Sequence, residues 1–317
     1  MNTKLQPKAA SRKDFMANNF SALLHLLLPA FFALTGLLLS VSQNIFLFIA
    51  GQLLLGIFFF QCFILLHETG HYSFFPSKAL NRLAGHIFGV FSFIPFESWV
   101  SVHNLHHKWT GWRDKDPTTE GTVSPKFSKP IKAIVNVSWK IGFPLFTIGY
   151  RLGNYWSHKK LKKYLNPDKL KKAYINQFLL VGIYFTLFLF FGKWLLVHLG
   201  IAYFISLMIS DIIILSQHSH IEIPVSNGQE VKPISYQEQI PYTRSILFNK
   251  FIAKYLLLNF NLHELHHAYP GTPAYHLHKH LLKTPNARPF MQYILKAKKM
   301  SGEKFVFNTS KSTGIEV

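Results

Sequence analysis

The chain has 317 residues, of which 49% are hydrophobic and 16% aromatic, and its formal charge at pH 7 is +20. A charge of this size suggests nucleic acid as a partner, but here the apolar residues collect into long uncharged runs, which favours a membrane protein that binds no nucleic acid. Cys62 is the only cysteine, so an intrachain disulfide and a thiolate metal site are both excluded.

The longest uncharged run extends over Ser21–Leu66 and contains no Asp, Glu, Lys or Arg. A helix that spans a bilayer needs about 20 apolar residues, so this run is long enough for two. Two shorter runs, Ala173–Gly192 and Trp194–Leu215, are separated by Lys193, and the second of them contains Asp211. We therefore predict four transmembrane helices in two hairpins, at residues 21–42, 44–66, 174–192 and 194–216.

Basic residues lie almost entirely on one side of these predicted helices. Of the 34 Lys and Arg residues, only Lys193 falls in a connection on the opposite side. Because Lys and Arg concentrate in cytoplasmic loops, this pattern places both termini and the long segment 67–172 in the cytoplasm. The pattern fits a bacterial inner membrane and an endoplasmic reticulum membrane equally.

We predict an all-α integral membrane protein with one domain and two tails. Residues 1–20 form a cytoplasmic polar tail, residues 21–299 a single membrane-bound domain, and residues 300–317 a disordered tail. Within the domain, residues 83–100 and 134–150 are apolar but interrupted by Gly or Pro, so we predict helices that lie in the membrane interface. These segments and their polar neighbours would form a helical cap on the cytoplasmic side.

Three histidine clusters stand out from this background. Residues His67–His71 have the sequence HETGH, His103–His107 HNLHH and His263–His267 HELHH. On a helix, residues three and four apart share a face, so each cluster can direct two or three imidazoles at one point. Neutral imidazole binds Zn, Cu, Fe and Ni. All three clusters fall on the predicted cytoplasmic side, where we therefore predict a metal site within the cap.

A fourth element, Gln217–His220, follows directly on the last predicted span. His218 lies in the first polar turn beyond that span, as His67 does beyond the second. Asp211 precedes His218 by two helical turns, so it could orient His218 or instead pair with Lys or backbone. The role of His220 stays open. The other histidines have no comparable spacing and are predicted not to bind metal: His25, His86, His158, His198, His276, His278 and His280.

The first and last clusters also match the HExxH pattern of zinc hydrolases. In that hypothesis two histidines bind zinc, Glu68 or Glu264 is the general base, and the chain is an intramembrane metalloprotease. One catalytic zinc needs three protein ligands and a water, which would leave most of these histidines unused. Their number favours two metal ions, although spacing alone does not distinguish iron from zinc. A non-enzymatic metal carrier or sensor is a third hypothesis.

The sequence resembles the membrane-bound fatty acid desaturase family, which includes related hydroxylases and ketolases. The resemblance extends from His67 to about His280 and rests on the order and spacing of four motifs. The first and third motifs are most similar to the acyl-lipid, delta-12/omega-3 branch. The motifs are HETGHYSFFPS at 67–77, SVHNLHHKWTGWRDKDP at 101–117, LSQHSH at 215–220 and NLHELHHAYPGTPAYHL at 261–277.

The resemblance implies desaturation of a fatty acyl chain at a non-haem centre of two iron ions, with O2 as co-substrate. It further implies a membrane lipid or other acyl substrate and a separate electron donor, a ferredoxin or a b-type cytochrome with its reductase. It implies no oligomeric state. Asp211, Glu68 and Glu264 are candidates for orienting the ligands, and Glu264 departs from the usual last motif, so a hydroxylase or ketolase is the alternative. The implied metal ligands are His67, His71, His103, His106, His107, His218, His263, His266 and His267.

Such a reaction needs an apolar tunnel that excludes water and holds the acyl chain within about 3–3.5 Å of the reacting atoms. An aromatic run before the second histidine cluster is a candidate for the lining of this tunnel. The same side chains would also suit the membrane interface, and the sequence leaves both interpretations open. The run consists of Phe88, Phe91, Phe93, Phe96 and Trp99.

Overall fold

The computed structural model describes residues 12–123, 125–280 and 282–317. In these residues the regular structure is helical, apart from a short parallel pair of strands, β1 (Ile246–Leu247) and β2 (Arg288–Pro289). The fold is therefore mostly helical, as the sequence predicts. Of the predicted polar tail, residues 1–11 lie outside the described residues, and a short 3-10 helix at Arg12–Phe15 precedes the first long helix.

The first two long helices form the predicted hairpin. They are α1 (Asn19–Ser40) and α2 (Ile45–Gly70). The side chains of Asn18 and Asn44 accept hydrogen bonds from the first free N–H groups of α1 and α2, which fixes where each helix begins. Gly51 allows the two helices to approach closely, because a Cβ there would lie 2.6 Å from a backbone nitrogen of α1.

The segment between the second and third predicted spans folds into two bent helix pairs. The first pair bends by 101° and the second, which continues through a π-helical turn to residue 156, by 115°. Left-handed residues end the first helix of each pair, namely Phe93 with φ 54° and Gly142 with φ 77°. Each predicted interfacial segment is thus a bent pair rather than one helix. The helices are α3 (Lys78–Ser92), α4 (Phe96–Trp109), α5 (Lys129–Ile141), α6 (Leu145–Arg151) and, after the second pair, α7 (His158–Tyr164).

The next part of the chain is one uninterrupted helical run, Pro167–His218. It consists of α8 (Pro167–Leu195), a π-helical segment (Leu196–Gly200) and α9 (Ile201–His218). The sequence predicts a turn at Lys193, but the backbone there is still helical. The break in α-helical hydrogen bonding comes a few residues later, in the π-helical segment, where i→i+5 bonding replaces i→i+4 bonding.

This helical run nevertheless folds back on itself. The ring centroid of Phe93 lies 4.4 Å from that of Tyr184 and 4.6 Å from that of Tyr203. A straight helix would separate these two tyrosines by about 28 Å along its axis, so both could not contact one phenylalanine. The reversal therefore lies between Tyr184 and Tyr203, the interval that contains the π-helical segment, and α8 and α9 run in opposite directions.

Several of these helices are apolar enough to cross a membrane. Among the described residues, three helical runs pass by length and composition, Lys13–Ser40, Ile45–Gly70 and Pro167–His218, or up to five if each bent pair counts as one span. Their outer faces expose large apolar side chains, such as Phe46 and Phe178, which are 78% and 79% exposed. Such a surface fits contact with lipid and a multi-pass membrane protein. The helix α2 lies at the centre, packed against α1, α3 and α9.

After α9 the chain forms short elements joined by irregular segments. Six of them are helical and lie beyond the 3-10 helix Gln237–Tyr242, and α13 among them packs against α5. They bring the third histidine cluster back to the first two. In chain order they are a π-helical segment (Ile252–Leu256), α10 (His263–Ala268), α11 (Ala274–Leu277), α12 (Phe290–Lys299), α13 (Gly302–Phe307) and α14 (Ser310–Thr313).

The prediction of a disordered tail at residues 300–317 is wrong. The tail forms α13 and α14, and Phe305 is fully buried, with its ring stacked on Trp139 of α5 at a centroid distance of 4.7 Å. Gly302 makes this approach possible, because a Cβ at that position would lie 2.7 Å from the Trp139 Cβ. The tail is polar in composition, and its few apolar residues are the ones that pack against the second bent pair.

We expect Phe305→Ala to destabilise the protein by roughly 3–5 kcal/mol, the usual cost of removing a buried phenylalanine ring. The free energy of unfolding in detergent measures the effect. Phe251→Ala is the matched control, because Phe251 is 64% exposed. Equal, small effects of the two substitutions would contradict the packing of the tail described above.

Candidate metal centre

The structure brings all nine predicted ligand histidines together in two adjacent groups. Within each group, one ligand atom from every residue lies within 4.8 Å of all the others. The groups touch, since the rings of His107 and His267 stack at a centroid distance of 4.3 Å. The five-histidine group is His67, His71, His103, His107 and His266, and the four-histidine group is His106, His218, His263 and His267.

Helix geometry decides how the clusters divide. The sequence predicts that each HxxHH cluster faces one point. On α4, however, His103 and His107 belong to one group and His106 to the other. The cluster on α10 divides in the opposite sense, with His266 alone in the five-histidine group. Residues at i and i+4 stay together, whereas the residue at i+3 crosses to the second group. Each HxxHH cluster therefore joins both groups.

The spacing of the ring nitrogens matches the edges of a coordination shell. In the five-histidine group the Nε2 atom of His103 lies 2.9 Å from that of His71 and 3.1 Å from that of His107. The Nε2 atom of His107 in turn lies 3.0 Å from that of His266. Ligands about 2.1 Å from one ion lie about 3.0 Å apart at adjacent octahedral positions and about 3.4 Å apart in a tetrahedron. The observed distances are therefore short enough for these nitrogens to share one metal ion.

Burial favours the neutral form of several of these imidazoles. Burial, together with the nearby His67, lowers the pKa of His71 to about 3. Burial also holds the pKa values of His263, His266 and His267 well below their usual value, and neighbouring imidazoles lower them further. A neutral imidazole has one free lone pair, which is the form that binds a metal ion.

Each group contains a buried ring nitrogen without a hydrogen-bond partner in the described residues. Such atoms are Nε2 of His67 and Nδ1 of His107 in one group, and Nε2 of His267 and Nδ1 of His263 in the other. A buried polar atom without a partner costs free energy, and a cation bound by Nε2 of His67 or of His267 would remove that cost for the atom that binds it. The residues present thus fit a metal ion in each group.

Acidic side chains contact two of the histidines. Nδ1 of His67 lies 3.0 Å from Glu68 Oε1, and Glu68 Oε2 accepts from the Ala274 backbone N–H at 2.8 Å. His106 donates from Nδ1 to Asp116 Oδ2 at 2.6 Å. Asp116 is ionised and can only accept, so the proton of His106 is on Nδ1 and its Nε2 is left for a metal ion. Glu68 contacts the adjacent His67, and its orienting role stays a prediction.

Asp116 lies inside the second motif, but its spacing from the histidines predicts no role for it. Burial alone would raise its pKa, but His106 and the Thr118 backbone N–H lower the pKa below its usual value, so the carboxylate stays ionised. The signal in the sequence is weak. Asp116 lies ten residues after His106, beyond the end of α4, and only the turn that follows α4 returns it to the imidazole.

Gln239 is a second orienting residue, and no motif in the sequence indicates it. It is fully buried in the 3-10 helix. Its Nε2 donates to the His107 carbonyl at 2.7 Å, so its Oε1 accepts from Nδ1 of His267 at 2.9 Å. One amide thus contacts a residue of each group. His218 is oriented in the same way, through the Tyr242 carbonyl at 3.1 Å.

Two of the predicted orienting residues contact no histidine of the groups. Asp211 Oδ1 accepts from the Thr147 backbone N–H at 2.7 Å, which caps the start of α6. Of the two roles considered for Asp211, this contact fits pairing with backbone. Glu264 accepts from the backbone N–H groups of Ser245 at 3.1 Å and Asn286 at 2.9 Å. Although Glu264 lies between two ligand histidines in sequence, its side chain points to the opposite side of α10 and holds two loops.

His220 does not enter either group. It is buried, but its Nε2 contacts Thr313 Oγ1 at 2.8 Å and the Ile315 carbonyl at 3.2 Å, so it holds the C-terminal segment. The seven histidines predicted not to bind metal are also absent from both groups. Sequence spacing thus separates the nine clustered histidines from the other eight.

A cavity of about 440 Å³ reaches both groups. His67, His103, His106, His218 and His263 form part of its wall. Much of the remaining wall is apolar, which suits a hydrocarbon chain. Of the aromatic run that precedes the second histidine cluster, only Trp99 lines the cavity. Phe91 and Phe93 are exposed, which fits the alternative interpretation that they lie in the membrane interface. Other apolar lining residues are Phe63, Val135, Leu145, Phe146, Ile214 and Phe260.

The fatty acid desaturase family matches residues 43–293, which is well over half of the chain and includes every histidine of the two groups. The chain belongs to the fatty acid desaturase family. The resemblance seen in the sequence is therefore confirmed, and a mostly helical chain with apolar helices and clustered histidines is what this family membership leads one to expect.

Three characterised relatives illustrate the branch of this desaturase family that the chain resembles. The endoplasmic reticulum omega-3 fatty acid desaturase of Vigna radiata is 26% identical over 241 residues, 70% of this chain and 60% of that protein. The sn-1 acyl-lipid omega-3 desaturase (ferredoxin) of Nostoc is 26% identical over 189 residues, which are 56% of this chain and 52% of that protein. The sn-1 oleoyl-lipid 12-desaturase of Picosynechococcus is 26% identical over 241 residues, which are 73% of this chain and 66% of that protein. The chain thus spans between half and two thirds of the length of these desaturases.

We expect Asp116→Asn to weaken metal binding by roughly 10- to 100-fold, because the substitution removes the negative charge that orients His106. Competition with a chelator of known affinity measures the change. Asp114→Asn is the control, since Asp114 is two residues away and bonds to Ser226 rather than to a histidine. Equal metal affinities for the two variants would contradict the role of Asp116.

Proposed function

We propose that this chain removes two hydrogens from a fatty acyl chain in a membrane lipid, using O2 and electrons from a separate donor, at a centre of two iron ions. The observation that carries the proposal is the pair of buried histidine groups at the wall of a largely apolar cavity, in a member of the fatty acid desaturase family. The five-histidine group would hold one iron and the four-histidine group the other.

The ligand geometry supports two irons over a protease zinc. A single catalytic zinc uses three protein ligands and a water, and nine converging imidazoles exceed that need. The general base of a protease must face the metal-bound water, yet both oxygens of Glu264 accept from backbone N–H groups. Glu68 is likewise held between His67 and Ala274. The choice of iron among imidazole-binding metals rests on the family.

The protein's own contribution is to position the substrate and to keep water away from it. When bound, the irons would supply the activation of O2 that attack on an unactivated C–H bond requires. Phe63, Trp99 and Phe260 line the cavity beside the histidines, so they would hold a methylene group close to the centre. Glu68, Asp116 and Gln239 fix the ring orientations, which keeps the ligand positions constant while the substrate enters.

The relatives favour desaturation of an acyl lipid over hydroxylation or ketone formation. The three described above are named as desaturases, and two of those names specify acyl-lipid or oleoyl-lipid substrates. The Nostoc relative is named as ferredoxin-dependent. We propose a comparable lipid substrate here, with a ferredoxin or a b-type cytochrome and its reductase as donor. A hydroxylase or ketolase of the same family is the alternative outcome.

We also propose that four spans, as predicted, cross the membrane and that both termini and the histidine groups face the cytoplasm. The fold-back of the run Pro167–His218 supports two spans in that run, and the position of nearly all Lys and Arg residues supports the orientation. In this arrangement the donor would reach the metal centre from the cytoplasm.

Expression of the chain in a host with a compatible reductant should introduce new double bonds into membrane lipids, detected by mass spectrometry of the fatty acids. His107→Ala should abolish them, because His107 Nε2 contacts two other histidines of its group. His278→Ala is the control, since His278 is exposed and lies outside both groups. Unchanged lipids with full metal loading and adequate electron supply would overturn the proposal, and hydroxylated lipids would select the alternative.

The purified protein should contain about two irons per chain, measured by elemental analysis with zinc determined in the same sample. His71→Ala and His218→Ala each remove a ligand from a different group. We therefore expect each variant to lose about one iron, and the double variant to lose both. One zinc per chain in the wild type would instead favour the metalloprotease hypothesis.

A further inference from the structure

The cavity that reaches the metal centre has an open mouth. About half of its lining residues are buried, whereas Gly121, Gly149 and Gly153 are exposed and also line it. A Cβ added at any of these three glycines would meet no atom within 4 Å, so each borders open space. These three glycines therefore define the mouth, and the histidine groups lie at the buried part of the wall.

Two basic side chains line the cavity on either side of the turn that carries Gly121. Arg113 donates from Nε to Thr122 Oγ1 at 2.8 Å and from Nη2 to the Thr122 carbonyl at 3.0 Å. Lys160 lies 3.5 Å from Glu120 Oε1 on the other side of the same short 3-10 helix, Glu120–Thr122. Both cations are thus fixed at the mouth by one three-residue turn.

Arg113 and Lys160 line the cavity, whereas the acids near them, Glu120 and Asp116, do not. Glu120 is shared between Lys160 and Lys163, the latter at 2.5 Å. Arg113 forms no ion pair among the described residues, and its Nη1 makes no hydrogen bond there. The nearest acid that influences it, Glu222, is instead bonded to the Lys311 backbone N–H at 2.5 Å. One guanidinium edge is therefore free to bind a ligand from the cavity.

We propose that the mouth binds an anionic group of the substrate, a phosphate or a carboxylate, through Arg113 with Lys160 beside it. Arginine suits this role because its planar N–H groups match the oxygens of phosphate and carboxylate. The anionic group would stay at the mouth while the hydrocarbon chain lies in the apolar part of the cavity. The inference rests on the proposed function, and it adds a preference for charged over neutral acyl substrates.

A purely structural role for Arg113 is the competing explanation, because the residue also holds Thr122 and lies 3.5 Å from the Val306 carbonyl. The two explanations differ in their dependence on substrate charge. A structural defect would lower turnover of every substrate alike, whereas loss of an anion site would affect only anionic ones. Arg113→Lys separates them further, since it keeps the charge but cannot reproduce the paired bonds to Thr122.

The test uses the iron-loaded protein with its reductant and three kinds of vesicle in a neutral carrier lipid. The vesicles contain phosphatidylglycerol, free fatty acid or monogalactosyldiacylglycerol, each with the same mixture of saturated and monounsaturated chains. With Arg113→Gln we expect KM to rise by roughly 10- to 100-fold for the anionic substrate that is used, with kcat nearly unchanged, as for the loss of a hydrogen bond to a charged group. Turnover of the neutral galactolipid should not change.

Lys160→Gln should show a smaller rise in KM, and Arg113→Lys should retain most of the preference for the anionic substrate. Lys162→Gln is the control, because Lys162 is exposed and does not line the cavity. A preference for phosphatidylglycerol would identify phosphate as the ligand, and a preference for free fatty acid would identify carboxylate. Equal use of charged and neutral substrates by the wild type, or an equal loss on all substrates in Arg113→Gln, would overturn the anion site while leaving the desaturase proposal intact. Absence of product from every substrate would instead overturn the proposed function.

Discussion

The structure depends on one costly arrangement, the convergence of nine imidazoles, most of them buried, in two adjacent groups. Their ring nitrogens face one another at about hydrogen-bond distance, and a neutral imidazole has only one N–H to offer. Such an arrangement is stable only if surrounding residues hold each ring or if cations occupy the centre. The helices α2, α4, α9 and α10 supply the rings, and the connections between them supply the residues that hold the rings.

Each HxxHH cluster is divided between the two groups, so α4 and α10 must both be docked at this place. Because α4 and α10 each contribute to both groups, neither group can form unless both helices are docked. Gln239 adds a direct link, since its amide contacts His107 in one group and His267 in the other. A displacement of any one of these helices would therefore alter both groups at once.

The sequence predicts which histidines come together, because the signal for them is local. A spacing of three and four residues on a helix can be recognised without knowledge of the tertiary fold. The same is true of a position just after an apolar run. The orienting residues depend on long-range contacts instead. Asp116 and Gln239 come from irregular segments, whereas Asp211 and Glu264 have suitable spacing but cap or brace backbone elsewhere. Helix periodicity says which face a side chain is on, but not what the rest of the chain places there.

The same reasoning explains the errors in the fold. The sequence places the reversal of the last hairpin at Lys193, the one charge in the run, yet the backbone reverses without leaving the helical conformation near that residue. The C-terminal tail is polar enough to suggest disorder, but Phe305 and Val306 suffice to dock it. A few apolar side chains change the composition of a polar segment little, but their burial can hold the whole segment against the rest of the protein.

The docked tail also has a consequence for the order in which the protein is assembled. Val306 and Phe307 form part of the cavity wall, about forty positions after His267, the last of the clustered histidines. During synthesis the whole set of imidazoles therefore leaves the ribosome before the wall beside it is complete. The histidine groups can therefore come together before Val306 and Phe307 dock, and the docking of the tail then completes that side of the cavity wall.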